Sequence, residues 1–388
     1  IDQIYLLNIA KELLFMKTFI NTCIRFFKKE TVLCIAGFLA FISAFFVHPS
    51  AAYMGYIDFR VLSLLFSLML VVAGFQSIGL FHCLGSALLT KVHTTRQLIL
   101  VLSLLCFFSS MFITNDVALL TFVPFAIMIL TMAGQQKLLI STIVLQTIGA
   151  NLGSMFTPVG NPQNLYLASA FSLSTGTFLI RMFPLTALSL VLLVAAACML
   201  PSTPVDIASQ TAAERPEPKK LAVYLVLFMT CLGCVSHLIP YPVMLVLVLI
   251  TLLFINRTLF QKADYFLLLT FVFFFLFIGN VQNIPAVSDL LHKLIRGREL
   301  GAGILLSQCI SNVPAAILLS GFTDQVIPLL YGVNIGGLGT LIASLASLIS
   351  YRFYVGTENA HTGRYMKVFT LYNVIFLIIL ALVAWKIL

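Results

Sequence analysis

One carboxylate and a small set of side-chain amides stand in the least polar parts of this chain. Asp116 lies in the run Met111 to Leu120, which reads MFITNDVALL. An acid at the centre of a membrane helix costs about 2.5–3.5 kcal/mol on insertion scales, so such groups face a cavity, an ion or a substrate. Asp is also a favoured helix N-cap. The two roles are compatible, because a helix that begins inside a membrane directs its free N–H groups at a bound anion. A second segment, residues 154–164 (SMFTPVGNPQN), cannot be a continuous helix. Pro158 and Pro162 each remove a donor and restrict the residue before them. Gly160 lets backbone approach closely, and Asn161, Gln163 and Asn164 offer amide groups to a ligand. Further on come Ser311-Asn312-Val313-Pro314 and the glycine-broken Gly336-Gly337-Leu338-Gly339-Thr340. The second break offers backbone, not side-chain amides. Non-helical backbone at membrane depth is tolerated only where protein or a water-filled cavity satisfies it. These residue types hold and release a small ion; they do not form a nucleophile–base pair.

Other chemistries lack their residues. No Walker A sequence, HExxH or paired CxxC sites occur, so an ATPase, a metalloenzyme and a structural metal are not expected. Cys231-Leu232-Gly233-Cys234 has redox spacing, but it lies mid-span with no second pair and no histidine set. His48, His82, His93, His237, His292 and His361 fall mostly near span ends. Arg181 is placed to snorkel. Gly149 with Gly153, and Gly332 with Gly336, have the spacing of close helix packing. Asn151 and Asn334 lie between them, where they can coordinate an ion or brace the breaks.

Turns like these need helices that end inside a bilayer. The 388 residues are 61% hydrophobic and only 9% charged, where a soluble domain carries about 25% charged residues. The net charge of +9 is expected from Lys and Arg retained on the cytoplasmic side, not from nucleic-acid binding. The fold class is an all-α polytopic membrane protein. Residues 1–30 read as an interfacial basic N-terminal segment, with Met16 a natural start. Residues 31–200 form a first transmembrane repeat, and 201–220, with four prolines, a cytoplasmic linker. Residues 221–388 form a linking span and a second repeat. Basic residues put the N-terminus in the cytoplasm; the group His292, Lys293, Arg296 and Arg298 falls outside, against that rule. Charge fits both a re-entrant hairpin over 97–133 and two full spans.

The halves share a pattern. Thr114-Asn115-Asp116, then Gly149-Ala150-Asn151-Leu152-Gly153, is matched by Ser311-Asn312-Val313, then Gly332-Val333-Asn334-Ile335-Gly336. Upstream of each is a long apolar span ending at a glycine, Gly74 or Gly279, and an amphipathic stretch. The odd span at 221–238 gives the second half the opposite orientation. Inverted repeats with discontinuous helices mark secondary transporters.

TNDVALLTFVPF at 114–125, GANLGSMFTPVGNPQN at 149–164, SNVPAAILL at 311–319 and GVNIGG at 332–337 resemble the ion transporter superfamily. This group holds divalent-anion/sodium symporters, citrate symporters, arsenite permeases and a sodium/proton antiporter branch. The resemblance covers about residues 30–388. It implies two inverted repeats, each with a re-entrant hairpin and a broken helix, a homodimer in the bilayer, and elevator-type transport. It also implies one half-site at Thr114, Asn115 and Asp116 with Gly160 and Asn161, and another at Ser311, Asn312 and Val313 with Gly336 and Gly337. In the dicarboxylate branch both tips read Ser-Asn-Thr. Here the third positions are Asp116 and Val313, which places the chain nearer the citrate and arsenite branches.

The expected function is therefore secondary transport of a small anion or oxyanion, citrate or another carboxylate first, across the plasma or inner membrane. Gln163, Asn164 and Thr340 complete the substrate set. The coupling H⁺ or Na⁺ falls to Asp116, Asn115, Asn151, Gly160, Asn312 and Asn334; no other cofactor is expected. The alternatives are a Na⁺/H⁺ antiporter, for which Asp116 alone suffices, and an arsenite permease. The last could dock a soluble ATPase, with 201–220 and 352–366 as the only candidate surfaces.

Overall fold

The computed structural model describes residues 30–89, 92–205 and 216–388. The basic segment before Glu30, Lys91 and the middle of the 201–220 linker lie outside the described residues. The chain runs through α1 (Thr31–Phe46), α2 (Tyr53–Tyr56), α3 (Phe59–Ser77), α4 (Leu80–Leu89), α5 (Thr95–Ile113), α6 (Asn115–Met132), α7 (Leu139–Ser154), α8 (Pro162–Ala170) and α9 (Thr175–Cys198). It continues through α10 (Pro218–Val235), α11 (Tyr241–Ile255), α12 (Tyr265–Gln282), α13 (Pro285–Ile295), α14 (Glu299–Ile310), α15 (Asn312–Ser320), α16 (Val326–Ile335), α17 (Leu345–Val355) and α18 (Thr362–Ile387). No β-strand occurs among the described residues. By length and composition α3, α5, α6, α9, α10, α12 and α18 could each cross a bilayer, at about 1.5 Å of rise per residue through a core of about 30 Å.

The element order repeats. A long span, a short helix, two helices joined at one residue, a helix–break–helix and a long span make up α3 to α9, and again α12 to α18. α14 and α15 thus meet at Ser311, and α16 and α17 are separated by 336–344. Proline and glycine placement had marked both points.

The chain forms two compact units. Of the described residues, the first holds 30–57 together with Tyr265–Ile284. In it the buried Asn280 amide donates to Ser43 Oγ and to Tyr53 Oη, each at 2.9 Å. Gly279 lies against the Tyr56 ring, which a Cβ would meet at 2.3 Å.

The second unit holds Asp58–Asp264 and Pro285–Leu388. Its central element is α7, whose residues from Leu139 to Ser154 are nearly all buried. A helix apolar all round belongs inside a bundle, and α7 packs against α5, α6, α9, α17 and α18. Gly149 faces the Ser103 carbonyl and Gly153 the Phe107 carbonyl on α5. In the second half Gly332 faces the Leu300 carbonyl on α14. Ser103 and Leu300 each stand eleven residues before their joint, Thr114 and Ser311, so the same close crossing occurs twice.

At the end of α10 the chain turns through His237 at φ 62°. Arg60 donates to His237 Nδ1 at 2.9 Å and to the Cys234 carbonyl at 2.9 Å. Arginine only donates, so the contact needs a neutral imidazole. Partial burial, and after it the Arg60 guanidinium, hold the His237 pKa below its ordinary value of 6.5. The folded protein therefore takes up this proton at lower pH than the unfolded chain. The contact contributes fully above about pH 6.5 and is lost as pH falls through the lowered folded value. Protection of the 236–239 amides, relative to their intrinsic exchange at each pH, is expected to fall on that side of pH 6.5, and His237→Ala to remove the dependence. Protection flat with pH in the unsubstituted protein would disprove the contact.

Candidate functional site

The two joints are built alike. Thr114 sits at φ 68°, ψ 150° and Ser311 at φ 75°, ψ 156°. Positive φ is rare for any residue with a Cβ and a genuine outlier for a β-branched one; it costs on the order of 1–3 kcal/mol and persists only where the surroundings hold it. Here the Thr114 carbonyl accepts from Ala118 N at 3.1 Å, and Asn312 N, just past Ser311, donates to the Ala343 carbonyl at 3.0 Å.

Amides join the two halves. Asn115 Nδ2 donates to Asn151 Oδ1 at 2.9 Å, and Ser344 Oγ donates to the same oxygen at 3.0 Å. Asn151 Nδ2 reaches the Gly337 carbonyl at 3.5 Å. A Cβ on Gly337 would stand 3.0 Å from Asn312 Nδ2, which places Asn312 against this break. Ser311 Oγ lies 3.3 Å from Asn312 Oδ1. The Gly337 N–H donates to the Asn334 carbonyl at 3.2 Å. Asn334 Nδ2 donates to Asn164 Oδ1 at 2.7 Å, and Asn161 Nδ2 approaches Asn334 Oδ1 at 3.4 Å and Ser154 Oγ at 3.0 Å. Asn115, Asn151, Asn161, Asn164, Asn312 and Asn334 are all buried.

Each break has its own brace. At the first, Asn164 Nδ2 serves the carbonyls of Ser154, Met155 and Thr157 at 3.2–3.3 Å, and Asn161 caps α8 through Asn164 N. Gly160 is needed here, because a Cβ would stand 2.1 Å from the Ser154 carbonyl. At the second, Gln308 Nε2 serves the carbonyls of Gly336 and Leu338 at 2.8 and 2.9 Å. Gln308 Oε1 accepts from Thr340 N at 2.9 Å. Thr340 and Gly336 are thereby held to α14. The sequence reading missed Gln308, Ser344 and Ser154; the one available signal was a lone amide in the apolar run of α14.

Not every expected residue is paired. Gln163 is buried with both side-chain polar atoms unpartnered, and Asp116 Oδ1 is buried without a partner. Asp264 lies within electrostatic reach of Asp116. Val313 is buried at the second joint and Thr114 half-buried at the first; neither side chain donates into the network.

Four helix N-termini therefore meet at one amide cluster: α6 through Asn115, α8 through Asn161, α15 through Asn312 and α17 through Ser344. Each N-terminus carries about half a positive charge and unpaired N–H groups. Such an arrangement attracts an anion without a basic side chain, and the Asp116 carboxylate, one residue past Asn115, can take a cation or proton.

A family model described as citrate transporter matches residues 28–323. The chain is 32% identical over 332 residues to an uncharacterised transporter of Methanocaldococcus jannaschii, spanning 84% of this chain and 88% of that one. It is 32% identical over 343 residues to the inner membrane protein YbiR of Escherichia coli, spanning 86% and 88%. A shorter match, 32% over 129 residues, covers 33% of this chain and 26% of the silicon efflux transporter of Oryza sativa subsp. japonica. With that family match over most of its length and this bundle of apolar helices, the chain belongs to the citrate transporter family and is a multi-pass membrane transporter.

Proposed function

We propose that the protein is a secondary active transporter of a small anion or oxyanion, citrate or another carboxylate first, coupled to H⁺ or Na⁺. The observation that carries this reading is the meeting of four helix N-termini from both halves at the Asn115–Asn151–Asn334 cluster. The anion binds at these N-termini and the joints Thr114–Asp116 and Ser311–Val313. Asp116 holds the coupling cation or proton, which also removes its repulsion of a carboxylate. The repeated element order supports two repeats; their inversion, the elevator movement and the homodimer are read from the resemblance to the ion transporter superfamily, and the cytoplasmic N-terminus in the plasma or inner membrane from the placement of basic residues.

In proteoliposomes, uptake or efflux driven by a pH or sodium gradient is expected to vanish in Asp116→Asn and Asn312→Ala. Unchanged coupled transport in both variants would sink the assignment. A screen of citrate with and without Mg²⁺, C4-dicarboxylates, sulfate, arsenite and silicate names the substrate. Silicate belongs in it because the rice relative is named for silicon efflux, and arsenite because the resemblance includes arsenite permeases and Val313 leaves one joint without a side-chain donor. Sodium-driven proton movement with no anion added would favour antiport instead.

A further inference from the structure

One face of α17 is not apolar. Ser344, Ser347, Ser350 and Tyr354 recur every three or four residues and are all buried, so they line one side of the helix. The row has two ends. At the surface loop 356–361, Tyr354 Oη accepts from His361 N at 2.9 Å. At the site, Ser344 Oγ donates to Asn151 Oδ1 at 3.0 Å. A second row joins the same ends. The Tyr365 ring stacks on Tyr354 at 4.8 Å and meets Tyr351 at 5.5 Å. Its hydroxyl lies beside that of Thr147, and Thr147 stands one turn before Asn151 on α7.

Two of these hydroxyls bond no backbone group: Ser347 Oγ is fully buried without a hydrogen-bond partner, and the fully buried Tyr365 Oη has only the Thr147 hydroxyl beside it. Thr147 and Ser350, by contrast, return theirs to the Ile143 and Ala346 carbonyls. Close packing explains why small residues stand on α17, but alanine would serve as well, and phenylalanine would fill the place of Tyr365. A buried hydroxyl left unmatched is costly. It is addressed to a small hydrogen-bonding guest, and water is the guest that bridges hydroxyl to hydroxyl.

We infer that this hydroxyl row, with water between its members, conducts the coupling proton between loop 356–361 and the Asn151 end of the site. This rests on the anion-transport reading above and makes H⁺ the coupling ion. Each oxygen accepts a proton on a lone pair and passes its own hydrogen onward, so every hydroxyl is regenerated. The proton arrives at Ser344, where Asn115 shares the Asn151 oxygen. The Asn151 and Asn115 amides have no free nitrogen lone pair with which to relay a proton, so a bridging water carries it from Ser344 to the Asp116 carboxylate, which becomes the neutral acid and returns the proton on the reverse stroke. The titratable groups on the packed elements are Asp116 on α6, with Asp264 within its electrostatic reach, none on α7, and Arg364, Tyr365, Lys367, Tyr372 and Lys386 on α18, of which Tyr365 is in ring contact with α17. Arg352, Glu358, His361 and Arg364 stand around the loop end.

The full chain is reconstituted with a trapped pH dye and radiolabelled citrate, and then each of the other screened anions, as probe. In Ser347→Ala with Tyr365→Phe, exchange of labelled for unlabelled anion at equal pH is expected to stay within about twofold of the unsubstituted protein. Accumulation driven by a pH gradient, and the dye signal with it, is expected to fall roughly tenfold. The melting temperature is expected to hold or rise, because only unmatched hydroxyls are removed. A variant that keeps both activities overturns the conduit. Loss of exchange and accumulation in step also overturns it, and assigns the hydroxyls to packing. Sodium-driven uptake without a dye signal in the unsubstituted protein leaves the transport reading standing and removes the conduit. Failure of every probe to move removes both.

Discussion

Gly153→Ala is expected to leave little folded transporter. The added Cβ would stand 1.9 Å from the Phe107 carbonyl oxygen and 2.7 Å from its carbon. Both are backbone atoms of α5, so no side-chain rotation relieves the clash. α5 and α7 must separate, and with them move Thr114 at one helix end and Asn151 two residues before the glycine. Overpacking of a close-packed core costs about 1–3 kcal/mol, occasionally more, when side chains can adjust. Backbone contact removes that adjustment, so the upper end of the range applies. Thermal melting in detergent, with yield, measures it. Gly176→Ala on α9 is the control: nothing lies within 4 Å of its added Cβ, and alanine is the better helix former. Equal melting of both variants would show that the α5–α7 crossing is looser than described.

Asn151→Ala is expected to destabilise the second unit and abolish transport. Its Oδ1 accepts from both Asn115 and Ser344, so truncation strands two buried donors. Each stranded donor costs about 1–3 kcal/mol. Polar pairs between membrane helices average only about 0.6 kcal/mol in favour. The loss is therefore dominated by the orphaned groups, not by the bonds themselves. A double-mutant cycle reads this directly. Asn115→Ala added to Asn151→Ala removes one orphan, so the double variant should lose less than the two singles together. Strict additivity would mean the amides do not act as a pair. Transport should fail in all three variants, because this bond orients the N-terminus of α6.

Much of the architecture was legible in the sequence. Pro158, Gly160 and Pro162 announce a break because their backbone limits are local. Asp116 and Asn312 stood out because a polar residue in an apolar run is costly wherever it folds. Gly149, Gly153, Gly332 and Gly336 announced close crossings, which occur at those residues. Gln308 was not legible: its amide serves carbonyls 28 and 30 residues away, and nothing nearby in the chain marks that use. Asn164 shows the complement. Read as a ligand amide, it has its amide hydrogens committed to the carbonyls of its own break.

By itself the sequence determined the membrane, the helical class, the two joints and the two breaks. Each follows from composition or from the conformational limits of neighbouring residues. Only the tertiary structure decided that Asn115, Asn151, Asn334 and Ser344 are one cluster, and that four helix N-termini open onto it. Those contacts join residues 36 to 193 positions apart, and their geometry is set by which helices α7 packs against, a property of the whole bundle.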